Sequence, residues 1–275
     1  MRVAFLGPAG TFTEEALLSS APVAVERVSY PTVYETVMAV QEGEVDRAVV
    51  PIENSLEGSV TATLDALATD ATDVRIAAEV VHRIRHCLVA KRELRLADIE
   101  RVISHPQATA QCARFLRDNL ASAERVSAGS TAEAVRAVAD TEQRWAALGS
   151  RLAAELYGCR VLAEGVEDRP DNRTRFVWLA PASVEAAAGA SKTSIVFWGF
   201  NDNAPGALVD VLREFADRGI NLTKIESRPR RLGLGHYMFF ADLQGAQDDP
   251  LVADGLEALQ RRVETLRVLG SYGVA

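Results

Sequence analysis

"APASVEAAAGASK", residues 180–192, decides how the chain is divided. It is rich in Ala, Ser and Gly, has no aromatic residue, and separates two regions of regular patterning. It therefore reads as a linker at residues 181–192. Residues 1–180 and 193–275 are expected to form separate domains.

Upstream of the linker, short apolar runs alternate with helical periodicity. "RVAFL" leads to "TFTEEALLSS", "VAVERV" to "TVYETVMAVQEG", "RAVVPI" to "GSVTATLDALAT", and "RVIS" to "PQATAQCARFLRDNL". "STAEAVRAVAD" then precedes "RWAALG". That alternation predicts an α/β domain with a mainly parallel sheet. The extended stretch 74–90 is too long for a short parallel strand, so it reads as a crossing between two lobes around a central cleft. Downstream, "TSIVFWGF", "GALVDVLREFADRG", "INLTKIESRP", "GHYMFFADLQG", "DPLVADGLEALQRRV" and "ETLRVLGSY" follow one another. This is the βαββαβ order of a ferredoxin-like domain.

The composition is that of an ordinary globular protein, with 48% hydrophobic and 25% charged residues. A net charge of −8 excludes a general nucleic-acid binder, because no basic field exists to hold phosphates. The three cysteines, Cys87, Cys112 and Cys159, are widely spaced and form no C-x-x-C pair, which fits a reducing compartment. "MRVAFLGPAG" is too short in its apolar run for a secretory segment, and no window approaches a membrane span. A cytoplasmic location is expected.

Polar clusters follow the apolar strands directly: "GPAGTFTEEA", "PIENSLEGSV" and "SHPQATAQC". In open α/β sheets such strand ends face the ligand crevice, and each cluster precedes a helix whose free amides favour an anion. Thr11, Asn54, Ser55, Ser104, His105 and Gln107 are thus expected to converge on one cleft. "DNRTRFVWLA", residues 171–180, adds Thr174 and Arg175 at the head of a buried strand. Taken singly, each has a plain structural reading. "TFTE" is a good capping box, His105-Pro106 suits a helix start, and Thr174 is a β-former. His82, His86 and His236 read as packed or solvated. There is no Walker loop, GxGxxG, HExxH or GxSxG, so neither cofactor nor metal is expected.

Together, "GPAGTF", "PIENSLEG", "SHPQA" with Gln111 and Cys112, "NRTRF" and "ESRP" resemble prephenate dehydratase with a C-terminal ACT regulatory domain. The resemblance runs through almost the whole chain. It implies a bilobal, periplasmic-binding-protein-like catalytic domain and conversion of prephenate to phenylpyruvate, water and carbon dioxide. It also implies that Thr174 is the essential catalytic residue. The substrate's chemistry then suggests Thr174 as hydrogen-bond donor to the departing hydroxyl, with Ser55 or His105 as proton relay. Arg175 is expected to bind the pyruvyl carboxylate, and Phe176 to exclude water.

In the ACT domain, "GALV" and "ESRP" imply a phenylalanine site where neighbouring copies meet. Gly206, Ala207, Leu208, Asn221, Leu222, Glu226, Ser227, Arg228 and Pro229 are its candidate residues. Arg228, or backbone groups of Asn221 and Leu222, would meet the amino acid's polar ends. A homodimer through this domain is expected, with a tetramer also open. No mutase-like segment precedes Met1, so a monofunctional chain is expected. The competing readings are arogenate dehydratase and a non-catalytic small-anion sensor.

Overall fold

The alternation of β-branched runs and helical periodicity becomes a regular succession of strands and helices in the computed structural model. It describes residues 1–21, 23–184, 189–200 and 204–274. The chain opens with β1 (Arg2–Leu6), α1 (Phe12–Ser20), β2 (Glu26–Tyr30), α2 (Val33–Gln41) and β3 (Arg47–Asn54). The short β4 (Gly58–Ser59) leads to α3 (Thr61–Thr69), β5 (Val74–Arg83) and β6 (Cys87–Ala90). Then come β7 (Arg101–Ser104), α4 (Pro106–Gln111), α5 (Ala113–Asn119), β8 (Glu124–Ser127), α6 (Thr131–Ala139) and β9 (Trp145–Gly149). They are followed by α7 (Arg151–Leu156), β10 (Arg160–Glu164) and β11 (Arg173–Pro181). The last elements are β12 (Lys192–Trp198), α8 (Ala207–Ala216), β13 (Leu222–Pro229), β14 (Tyr237–Gln244), α9 (Pro250–Gln260) and β15 (Thr265–Tyr272). Of the expected linker, residues 185–188 lie outside the described residues.

The described chain forms two compact units. One comprises Met1–Thr36, Ala48–Thr63 and Val81–Phe176; the other comprises Val37–Arg47, Leu64–Val80 and Val177–Ala275. Three sheets are present among the described residues. The first has the order β2-β1-β3-β11-β5, with β4 pairing β3; the second is β10-β6-β9-β7-β8. The extended stretch 74–90 supplies β5 to the first sheet and β6 to the second, so the chain crosses between sheets there. In the second sheet the pairing is mixed. β1 with β2, β7 with β8 and β7 with β9 are parallel, but β6 pairs antiparallel with both β9 and β10.

Strand β6 shows why the second sheet is central to its unit. Its four residues are all buried, with Leu88 and Ala90 in one apolar cluster and Cys87 and Val89 in another. Alternate residues of a strand face opposite sides, so helices must cover both faces.

The helix expected over "PQATAQCARFLRDNL" is broken at Cys112 into α4 and α5. Asp168 holds the break: its N–H donates to the Gln111 carbonyl at 2.7 Å, and its carboxylate accepts the Arg114 N–H at 3.1 Å. The short α7 and the edge strand β10 are additions to the sequence-based reading.

The third sheet, β13-β14-β12-β15, is antiparallel throughout and carries α8 and α9, as the βαββαβ order requires. Its core joins Ile195, Phe197, Val211, Phe215, Leu243 and Leu259. Phe215 is fully buried on α8. Phe215→Ala is expected to cost this domain about 3–5 kcal/mol, through lost transfer energy and a cavity, as measured by urea unfolding.

Candidate active site

A cavity of about 310 Å³ lies within the first unit. Thr11, Asn54, His105, Gln107, Thr174 and Phe176 all line it, so six of the nine residues singled out for substrate converge. Ser55, Ser104 and Arg175 do not line it.

Each element delivers its residues for a local reason. After β1 the chain turns through Gly10, whose φ of +88° suits glycine, and where a Cβ would lie 2.9 Å from the Ala153 Cβ. Thr11 caps α1: its hydroxyl accepts from the Glu14 N–H and donates to the Leu6 carbonyl, 2.9 Å away. The Glu14 carboxylate accepts the Gly10 N–H in return. Thr11 therefore walls the cavity with its hydroxyl already committed. Ser150, fully buried at the cap of α7, donates to the Gly10 carbonyl at 2.8 Å and accepts the Ala153 N–H at 2.9 Å.

His105 caps α4, with Nδ1 accepting the Gln107 N–H at 3.3 Å, so Nε2 carries the proton of the neutral ring. Its neighbour Ser104 sits on the other side of the strand end. It is fully buried, and its hydroxyl donates to the Leu148 carbonyl at 2.9 Å.

The same alternation separates the "TRF" residues on β11. Thr174 and Phe176 are buried and line the cavity, whereas the Arg175 guanidinium stands 3.1 Å from the Glu53 carboxylate. The expectation that Arg175 reaches into the crevice is therefore not met by this geometry. Ser55 is an exposed loop tie whose hydroxyl accepts the Arg173 N–H at 3.0 Å.

The polar centre is a closed set of amides. The Asn54 carbonyl oxygen accepts the N–H groups of Leu56 and Glu57, at 2.9 and 3.1 Å. Its Nδ2 donates to Asn172 Oδ1 at 2.8 Å and Thr174 Oγ1 at 2.9 Å, with a longer approach to the Arg173 carbonyl at 3.2 Å. Asn172 Nδ2 donates to Gln111 Oε1 at 3.0 Å, and Gln111 Nε2 donates to the Glu57 carboxylate at 3.3 Å. His86 Nε2 lies 3.2 Å from Gln111 Oε1.

Asn172, Gln111 and His86 all line the cavity, and none was among the expected site residues. Asn172 is 1% and His86 2% exposed. Burial lowers the His86 pKa, outweighing the Gln111 hydrogen bond and the charges of Glu167 and Glu15.

The start of α6 was also missed. Gly129, Ser130 and Thr131 line the cavity; the Ser130 hydroxyl accepts the Glu133 N–H, and the Glu133 carboxylate accepts the Gly129 N–H. "STAE" has the same capping-box pattern as "TFTE" and was the available signal. No Asp, Glu, Lys or Arg lines the cavity among the described residues. Burial raises the pKa of all three cysteines, so none is a ready thiolate. Among the described residues no cluster of His, Cys, Asp and Glu could hold a metal ion, and no helix is long and apolar enough to cross a membrane.

A second cavity of about 310 Å³ lies in the other unit. Gly206, Ala207 and Leu208 line it at the start of α8, with Phe200, Tyr237 and Phe239. Ser227 and Pro229 do not line it, but they pair in register with Phe239 and Tyr237. Asn221, Leu222, Glu226 and Arg228 also stand outside it. The Arg228 guanidinium grips Asp65 through Nε and Nη2, at 3.1 and 2.8 Å, and Arg231 reaches the same carboxylate at 2.8 Å. Glu226 pairs with Lys224 at 3.4 Å.

A family model described as prephenate dehydratase matches residues 3–183, and one described as ACT domain matches residues 200–261. A prephenate dehydratase of Amycolatopsis methanolica is 41% identical over 276 residues, covering 100% of this chain and 89% of the relative. The crystal structure of a prephenate dehydratase in complex with L-Phe from Arthrobacter aurescens matches with a TM-score of 0.91 at 41% identity. It covers 99% of this chain and 90% of that one. GqqA, described as a novel type of quorum quenching acylase, matches at 30% identity with a TM-score of 0.89, over 100% of this chain and 98% of its own.

Ser150→Ala would leave the Gly10 carbonyl and the Ala153 N–H without their buried partner. A loss of about 1–3 kcal/mol is expected from chemical denaturation.

Proposed function

This chain belongs to the prephenate dehydratase family, and on that premise we propose that its first cavity holds prephenate with the Thr174 hydroxyl at the leaving oxygen. The enzyme converts prephenate to phenylpyruvate. The bond from the ring to its carboxylate breaks, the electron pair enters the ring, and the hydroxyl across the ring departs and is protonated to water. Aromatisation drives the reaction, so the protein's task is to hold a dianion and assist departure of the oxygen.

One observation carries the role of Thr174. Asn54 Oδ1 is identified by the two backbone N–H groups it accepts, so Nδ2 must face Thr174 and donate to it. The Thr174 oxygen is then an acceptor on that side, and its own hydrogen remains available to the cavity. A hydroxyl placed in this way assists by position rather than by acidity. His105 Nε2–H is the group we assign to passing the proton, since Ser55 does not line the cavity. The amide-rich starts of α1 and α6 hold the pyruvyl carboxylate. Phe12, Ile84 and Phe176 pack the ring and exclude water.

The lining favours prephenate over arogenate, because among the described residues no carboxylate lines it to meet an ammonium group. Nor does Thr174 resemble an acylase nucleophile. It receives a hydrogen bond from an amide instead of passing its proton to a base.

We assign residues 1–180 to catalysis, 181–192 to the linker and 193–275 to regulation, in a cytoplasmic enzyme. L-phenylalanine is the effector, its side chain in the second cavity and its charged end near the start of α8, with Ser227 and Pro229 behind the aromatic wall. The edge strand β13 pairs copies into at least a dimer. Arg228 shapes this site through Asp65 and does not bind the effector directly.

Thr174→Ala is expected to lower kcat by about 10²–10⁴ with KM little changed, and Thr174→Ser to keep much of the rate, in a phenylpyruvate assay. Normal turnover by the Ala variant would remove the donor role. Asp65→Asn is expected to shift the phenylalanine dose response by at least about fivefold while basal turnover holds within about twofold. An unchanged response would separate Asp65 from regulation.

A further inference from the structure

We propose that His86 is a positioning residue for the Thr174 hydroxyl, acting as a neutral Nε2–H imidazole through Gln111, Asn172 and Asn54. This inference rests on the reading of Thr174 given above.

The assignment follows from donor and acceptor counting along the amide set. Backbone N–H groups identify Asn54 Oδ1, so Asn54 Nδ2 donates to Asn172, and the contacted Asn172 atom is its oxygen. Asn172 Nδ2 must then donate to Gln111, whose contacted atom is likewise its oxygen. The far end agrees independently: the other Gln111 atom meets the Glu57 carboxylate, which only Nε2 can do by donating. Gln111 Oε1 is therefore an acceptor, and His86 Nε2, 3.2 Å away, has to be the donor. With Nε2 protonated, Nδ1 is a lone pair, and it is buried without a hydrogen-bond partner among the described residues. The ring is held elsewhere: its backbone N–H donates to Glu167 at 2.9 Å, and Phe12 packs edge-on with centroids 5.3 Å apart.

Gln111 Oε1 thus has two donors, one from the catalytic side and one from His86. Removing His86 leaves the Gln111 oxygen with one donor, Asn172, in place of two, so Gln111 is held less tightly and the disturbance passes through Asn172 to Asn54. A second proton at Nδ1 would sit buried with no acceptor among the described residues, which agrees with the lowered pKa.

The test has two arms. In ¹⁵N-labelled wild-type enzyme at neutral pH, the imidazole correlations of His86 are expected to show a protonated Nε2 and an unprotonated Nδ1. An Nδ1–H tautomer or an imidazolium overturns the inference without reference to activity. His86→Leu is expected to lower kcat about five- to tenfold with KM within about twofold, and His86→Gln, which restores a donor, to recover most of it. His86→Leu combined with Gln111→Leu should cost no more than Gln111→Leu alone. An unchanged kcat in His86→Leu, or multiplicative losses in the double variant, overturns the inference. Should His86→Leu fail to fold, the wild-type spectrum still decides. Full activity in Thr174→Ala would instead remove the premise, whatever the tautomer.

Discussion

The constraint on which the site depends is the orientation of one side-chain amide. Asn54 stands at the end of β3, where two backbone N–H groups of the following turn allow only its oxygen to face them. Every later polarity follows: donor toward Thr174, donor toward Asn172, and so on to Gln111, which returns to the turn through Glu57. The set closes on itself, so rotating any one amide breaks more than one bond. That is preorganisation by mutual restraint. In the role proposed for Thr174, it would let a weak acid serve, because the cost of aiming its hydroxyl is met in folding and not during reaction.

Much of this was legible in the sequence, and the gaps have physical causes. The βαββαβ order and the crossing at 74–90 were visible because strand and helix periods differ and because length limits a short strand. Thr11, Asn54, His105 and Gln107 were placed on the cavity by following strand ends and Thr174 by heading a buried strand, whereas Phe176 entered with the family resemblance. Ser104 and Arg175 were misplaced for one shared reason: a one-residue step along a strand turns the side chain to the opposite face. Applying that alternation within "TRF" would have set Arg175 against Thr174 and Phe176. Ser130 was missed although "STAE" repeats the pattern read correctly in "TFTE".

Other features had no local signal. Gln111 and Asn172 stand within quoted motifs, but their joining to one another, to Asn54 and to His86 runs through contacts between residues 25 to 118 positions apart, which no window of sequence displays. His86 in particular looked like a packed histidine, and it is one. Burial and the proposed positioning role are compatible, because burial disfavours the charged ring. The break at Cys112 likewise depends on Asp168, far along the chain, and a helical pattern cannot announce it.

The absence of charged side chains from the lining, among the described residues, suits the chemistry better than an arginine clamp would. Prephenate has two carboxylates that need opposite treatment: one must be held, and the other must leave as a neutral molecule. A guanidinium in so small a cavity would stabilise both, and stabilising the departing anion raises its barrier. Helix amides act over shorter range, so the starts of α1 and α6 can favour one carboxylate while apolar walls surround the other. In the proposed placement the ring carboxylate would meet Phe12, Ile84 and Phe176, which offer nothing to replace lost water, and losing charge there would relieve that cost. On the proposed placement, polarity is divided by position, with amide dipoles for what stays and hydrocarbon for what goes.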